Sequence, residues 1–194
     1  MGYGGITGKQ FMEVTPPVEE GSLRLVREFV NTYDLEGDTE ALGSPDDLTK
    51  WLRHNGLLGV SEAGPADHAR GIELREAIRE LLAANHEGSA SPAAAARLTA
   101  AARRARLHPE FTASGSSVLV PGASGVDAAL GSLLVVITEA MADGRWRRLK
   151  VCRNDACRWA FFDTSRAGAG KWCSMAICGN RSKAAAWRAR RRDR

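Results

Sequence analysis

The chain is 194 residues long and 44% hydrophobic, with a formal net charge of +4 and a sequence pI near 9.1, enough for one ordinary domain and a small appendage. No apolar run approaches the roughly 18–20 residues of a bilayer crossing, and the start MGYGGITGKQ lacks the charged-then-apolar pattern of a signal peptide, so the expected setting is cytoplasmic, with no membrane partner. The charge is split: residues 145–194 carry 15 Lys/Arg against 3 Asp/Glu, whereas residues 1–144 carry 12 against 20, the pattern of an acidic body with a basic module.

Residues 1–21, rich in Gly and Pro and without periodicity, are expected to form a flexible arm. Ser22 is the expected cap of a helix with Leu25, Val26, Phe29, Val30 and Tyr33 on one face. Residues 34–44 have the composition of a loop. Ser44-Pro45-Asp46-Asp47 opens a short helix carrying Leu48, Trp51 and Leu52, which Asn55-Gly56 ends. Pro65 opens a longer one with Ile72, Ala77, Ile78, Leu81 and Leu82 on its apolar side, and Ser91-Pro92 starts an Ala-rich helix to about Leu107. Phe111 and Val118-Leu119-Val120 flank Ser114-Gly115-Ser116, which predicts a small β-hairpin. A helix from about Val126 to Ala142, apolar on much of its circumference, is expected at the centre, and Asp143-Gly144 closes the body.

All four cysteines lie beyond this point, spaced C-x4-C-x15-C-x4-C at Cys152, Cys157, Cys173 and Cys178. Two close pairs supply the four soft donors of a tetrahedral zinc site, and four thiolates leave no open position for catalysis, so one structural Zn2+ is expected. Two disulfides are disfavoured in a reducing compartment. Neither pair has the C-x-x-C spacing of a redox site. Arg153-Asn154-Asp155 has turn chemistry, Trp159 to Phe162 suits a short strand, Ser165 to Gly170 reads as a flexible tip, and Ser174 is placed to cap a helix holding Cys178 in its first turns. Trp159 and Trp172 suit the small core around the metal better than stacking platforms.

From Ser174 the chain reads as a helix to about Arg192. It is loaded with Arg181, Lys183, Arg188, Arg190, Arg191 and Arg192, a density that suits phosphate neutralisation. Asn180 and Arg181 have two readings: recognition of base edges in a major groove, or bracing of the finger turns. A solvated basic tail, or a helix docked on the acidic body through Trp187, are the alternatives to nucleic-acid binding. In the body, Asn31, Thr32 and Arg75 either face a candidate ligand pocket or brace a helix junction, and Arg75 and Arg79 have Glu76 and Glu80 as neighbours. The histidines His54, His68, His86 and His108 lack metal-ligand spacing, and no nucleophile with a base, phosphate-binding glycine loop or paired-acid motif is visible. An enzyme is not expected.

Trp172-Cys173-Ser174-Met175-Ala176-Ile177-Cys178-Gly179-Asn180-Arg181, with the Cys152/Cys157 pair and Phe162-Asp163-Thr164-Ser165-Arg166, closely resembles the CGNR-type zinc finger of bacteria. Phe29-Val30-Asn31-Thr32 and Leu74 to Arg79 resemble segments of the helical ABATE domain that precedes this finger in stress-induced transcription regulators. The resemblance implies a zinc-dependent, DNA-binding regulator. The expected fold is mainly α: a helical ABATE-like domain at 22–144 with a small β-hairpin, sensing an effector or forming a homodimer. At 145–194 follows a finger with its own core, ending in a basic helix that touches DNA. A zinc-stabilised protein-interaction adaptor, and less so a small-molecule enzyme in the body, are the rival readings.

Overall fold

The computed structural model describes residues 20–88 and 91–192; most of the expected N-terminal arm, residues 1–19, lies outside them. Helix α1 (Leu23–Val30) buries Leu23, Val26, Phe29 and Val30 in one stripe. Ser22 sits at its N-cap but makes no side-chain cap bond. Tyr33 lies beyond this helix. It begins β1 (Tyr33–Asp34), which pairs antiparallel with β2 (Thr39–Glu40) inside the stretch expected as loop. The cause is local: Asp34 Oδ1 accepts the Glu36 and Gly37 N–H groups at 3.0 and 3.3 Å, a side-chain turn that reverses the chain.

The next three helix starts follow their capping chemistry. Ser44 Oγ accepts the Asp47 N–H at 3.2 Å to open α2 (Pro45–His54), which ends at Asn55 and buries Leu48 and Leu52. Helix α3 (Pro65–Glu87) begins where Asp67 reaches back to the Gly64 N–H at 2.8 Å, and buries Leu74, Ala77, Ile78 and Leu82. Helix α4 (Pro92–Arg104) is capped by Ser91 Oγ on the Ala94 N–H. It stops short of Leu107, because Arg106 turns left-handed at φ 54 and feeds β3 (Leu107–Phe111). That strand pairs with β4 (Ser117–Pro121), Leu107 opposite Pro121 and Phe111 opposite Ser117.

Helix α5 (Gly125–Ala142) packs against α1, α4 and β4. Contrary to the reading of the apolar runs, its 18 residues, with a hydropathy of 1.6, match a membrane span in length and composition. Val126, Ala129, Leu130, Leu133, Leu134, Ile137 and Ala140 are nevertheless buried inside the fold, which makes it the core helix.

The chain then makes a 3-10 turn at Arg145–Arg148 and a hairpin of β5 (Leu149–Val151) with β6 (Ala160–Phe162), Leu149 opposite Phe162. This hairpin does not have a core of its own. Trp146, Leu149, Val151 and Ala160 join the cluster built by Phe29, Ile78 and Leu133, with β5 against α3 and β6 against α1. Cys152, Cys157 and Cys178, with Trp159, Trp172 and Cys173 packed on them, form a second, small cluster. The apolar surface needed to stabilise so short a hairpin comes from the helices. A π-helical turn (Met175–Gly179) and α6 (Asn180–Arg192) complete the described chain.

Candidate metal centre and basic helix

Cys152 follows directly on β5, its N–H bonded to the Trp159 carbonyl at 2.9 Å, so the first ligand continues the ladder. The Asn154 carbonyl accepts the Cys157 and Arg158 N–H groups at 2.8 and 3.0 Å, a turn that folds Cys157 back toward Cys152. On the other side, Ser174 Oγ accepts the Ile177 N–H at 3.3 Å and its carbonyl accepts the Gly179 N–H at 3.0 Å. The widened π turn between them presents Cys178 next to Cys173. Gly179 lets the Met175 side chain and Trp172 close over the turn: a Cβ there would lie 2.7 Å from Met175 Sδ and 3.2 Å from Trp172 Cδ1, and the Met175 side chain would have to shift.

The four Sγ atoms all lie within 4.8 Å of one another. Cys157 to Cys173 is 3.7 Å and Cys173 to Cys178 is 3.8 Å. Tetrahedral zinc with Zn–S bonds of about 2.3 Å requires sulfurs about 3.8 Å apart, whereas a disulfide needs about 2.05 Å. The donor set therefore fits a closed tetrahedral site. Its electrostatics agree. Thiol donation from Cys157, then Cys173, favours the Cys152 thiolate and lowers its pKa, while the same contacts with Cys152 and Cys157 push the Cys173 thiol up. Four adjacent sulfurs cannot all ionise unless a cation compensates them. Asn154 Nδ2 points at Cys178 Sγ at 3.8 Å, a donor toward a thiolate.

The tip at Ser165–Gly170, expected to be flexible, is tied down by Asp163 of the Phe162–Arg166 motif and by Lys150, which no motif signals. Lys150 and Asp163 are an ion pair at 2.7 Å, both side chains 3% exposed. Asp163 Oδ1 accepts the Ser165 N–H at 3.0 Å and Oδ2 the Gly170 N–H at 2.7 Å, while Lys150 also donates to the Gly168 carbonyl. A Cβ on Gly170 would fall 2.7 Å from the Asp163 carboxylate, so glycine is required for this closure. Burial pushes the Asp163 carboxyl up, but Lys150 and the Ser165 and Gly170 donors outweigh it and hold it well below the usual carboxylate range. Asp163 lies within Phe162-Asp163-Thr164-Ser165-Arg166. Its partner, on another strand, is invisible to local spacing.

Helix α6 starts on Asn180, whose Nδ2 donates to the Ala176 carbonyl at 3.1 Å. Arg181 forms an ion pair with Glu36 in the β1–β2 turn of the body. Lys183, Arg188, Arg190 and Arg191 are exposed and have no carboxylate partner among the described residues. Arg191 lies over the Trp187 ring at 4.6 Å, and Trp187 is 52% exposed rather than buried against the body. Arg192 closes α6, but its side chain lies outside the described residues.

The three body residues are placed at junctions. Asn31 bonds the backbone of Ala160. Thr32 Oγ1 donates to the Phe29 carbonyl at 2.8 Å and accepts from Arg75 at 3.1 Å. Arg75, nearly buried, makes a two-pronged pair with Glu40, both bonds 2.7 Å, and a third with Glu76 at 2.9 Å. Two opposing influences act on Arg75, with burial lowering its pKa and Glu40 and Glu76 raising it; the net shift is upward.

A mainly helical body fused through one core to a four-cysteine zinc finger with an exposed basic helix defines a two-part zinc-finger protein. Comparison with known families agrees: residues 23–144 match ABATE, described as "Putative stress-induced transcription regulator", and residues 148–191 match the "CGNR zinc finger". The chain belongs to the ABATE family and carries a CGNR zinc finger after it. Cys152, Cys157, Cys173 and Cys178 are its ligand set for one structural zinc ion. The two families are named for regulation and for metal binding, not for catalysis. No curated protein matches the chain.

Proposed function

We propose that the protein is a zinc-dependent, DNA-binding transcription regulator of the cytoplasm, in which residues 145–194 contact DNA and the body at 22–144 senses an effector or dimerises. The observation that carries this reading is α6: Lys183, Arg188, Arg190 and Arg191 are solvent-exposed, without carboxylate partners among the described residues, on a helix rooted in a zinc site. Cations left unpaired on a rigid base are free to displace counterions from a phosphate backbone. Asn180, Arg181 and Arg192 complete the proposed contact set. For the effector, a cavity of about 250 Å³ between α3, α4 and α5 has Leu74 and Leu130 in its floor and Arg70 and Arg104 in its lining. The test is binding of the zinc-loaded full chain to duplex DNA across a salt series. A steep fall of affinity with salt is expected; salt-independent binding or none overturns the reading.

Met175, Ile177 and Trp187, exposed beside the cations, favour a second reading as a zinc-stabilised protein-interaction adaptor. A stable protein complex formed through this face, without duplex binding, would select it.

A further inference from the structure

A cavity of about 450 Å³ opens where the end of α5 meets the finger, between the 3-10 turn at Arg145–Arg148 and the segment that follows β6. Phe162 forms its half-buried apolar wall, and Arg145, Arg148 and Arg166 line it with Asp143 and Asp163. Both carboxylates are already compensated. Asp143 is held by Arg145, with Nε at 2.7 Å and Nη2 at 2.6 Å, and Asp163 is held by Lys150 at 2.7 Å. Arg148 and Arg166 have no carboxylate partner among the described residues. Arg148 is nonetheless fixed: its Nη1 donates to the Asp163 carbonyl at 3.3 Å and to the Ser165 carbonyl. Its charge is thus positioned by neutral acceptors and not cancelled. The exposed hydroxyl-bearing Thr164 and Ser165 sit at the same mouth.

We propose that this junction cavity binds a phosphate group. Two guanidiniums without carboxylate partners among the described residues line one cavity, one of them preset, and the planar fork of an arginine can reach two oxygens of a phosphate at once. The volume exceeds what a bare phosphate fills, so the attached group of a phosphate ester lies along Phe162. The same chemistry has two sources: a soluble phosphorylated small molecule, or a backbone phosphate of the DNA contacted by α6. The second source rests on the function proposed above.

The test uses the zinc-loaded full chain, titrated with inorganic phosphate while the arginine Nε–H resonances are followed by NMR. Saturable shifts of Arg148 and Arg166 are expected, absent with chloride at equal ionic strength. Arg166→Gln, an exposed change that leaves the loop bonds intact, should weaken phosphate by roughly tenfold, the scale of a lost charged hydrogen bond. Unsaturable shifts, equal shifts with chloride, or an Arg166→Gln affinity within twofold of the parent would overturn the proposal. A short duplex that displaces phosphate, together with a salt slope flattened by about 0.9 in Arg166→Gln, assigns the backbone source. Phosphate shifts untouched by duplex assign the soluble ester. A chain that binds no duplex at all defeats the DNA reading, and the phosphate titration still decides the cavity.

Discussion

Asn31, at the end of α1, holds the backbone of Ala160 on β6 through both atoms of its amide: Nδ2 donates to the Ala160 carbonyl at 2.9 Å and Oδ1 accepts the Ala160 N–H at 2.8 Å. The side chain thus behaves like one more strand residue and completes the outer edge of the finger hairpin. On the other side of that hairpin, Asn85 Nδ2 donates to the Trp146 and Leu149 carbonyls at 2.8 and 2.7 Å, and His86 Nε2 meets the Val151 carbonyl. Body helices therefore satisfy the free backbone groups of both strands, and the zinc module is positioned by the body rather than tethered to it.

Asn31→Ala should accordingly destabilise the whole fold. It leaves one donor and one acceptor of a buried residue without partners, at about 1–3 kcal/mol per unsatisfied group. Urea unfolding should show a lowered midpoint in a single transition. A separate early transition of the finger, with the body unchanged, would mean that the junction does not couple the two.

Removing zinc, or Cys173→Ala, should act on a narrower segment than the family boundaries imply. Structural zinc in finger peptides contributes on the order of 10–16 kcal/mol at neutral pH, and the small cluster of Cys152, Cys157 and Cys178 has little else to hold it. Helix α6 and the cysteine turns should therefore unravel. Leu149, Val151 and Ala160 sit in the body's core, so β5 and β6 should stay. Limited proteolysis with mass spectrometry should give a product trimmed back toward β6; trimming to Gly144 would show that the hairpin leaves with the metal.

The parts of this architecture legible in the sequence are those determined within a few residues. Ser44 and Ser91 bond N–H groups three positions on, so their helix starts follow from local chemistry. The cysteine spacing likewise encodes two turns, each closed by its own backbone bonds. The spacing of Tyr33 continues the α1 stripe, but the Asp34 turn competes for that backbone and prevails. Lys150 with Asp163, and Asn31 with Ala160, are pairings across strands and elements; nothing in the spacing of either member signals its partner. The shared core was hidden for the same reason. A reversal of charge at Arg145 looks like a boundary, whereas burial of Trp146 and Leu149 depends on where α3 and α1 lie.

The Lys150–Asp163 pair gives a pH-dependent prediction. The folded state holds the Asp163 carboxyl below its ordinary value of 3.8. Its contribution to stability is therefore full above that ordinary value and is lost as pH falls toward the lowered one. Asp163→Asn should cost about 3–5 kcal/mol at neutral pH, since it leaves the Lys150 charge buried without its partner. Thermal unfolding of both proteins should show this gap narrowing on the acid side of pH 4. Zinc content must be followed in the same samples, because thiolate protonation also detaches the metal. A gap that stays constant through the acid range would show that Asp163 acts only as a neutral acceptor for the loop.

Arg181 separates the two readings of the finger's terminal motif. In this structure its guanidinium is engaged by Glu36 of the β1–β2 turn, while Asn180 bonds the Ala176 carbonyl. If Arg181 reads a base through the Nη1 that Glu36 holds, it leaves Glu36 to do so, and Glu36 competes with DNA for that donor. Glu36→Gln should then tighten binding to the preferred duplex without changing random duplex, and Arg181→Ala should weaken the preferred duplex roughly tenfold or more while sparing random sequence. Arg188→Gln with Arg190→Gln should instead weaken all sequences alike and lower the salt slope by about two units. If Arg181 only braces the junction, Glu36→Gln and Arg181→Ala should produce the same small loss of stability and no change in sequence preference. Measuring the four proteins by fluorescence anisotropy on the preferred and the scrambled duplex distinguishes these outcomes. The expected pattern is opposite signs for Glu36→Gln and Arg181→Ala on the preferred site, because a competitor and a reader of the same base cannot both be lost with one effect.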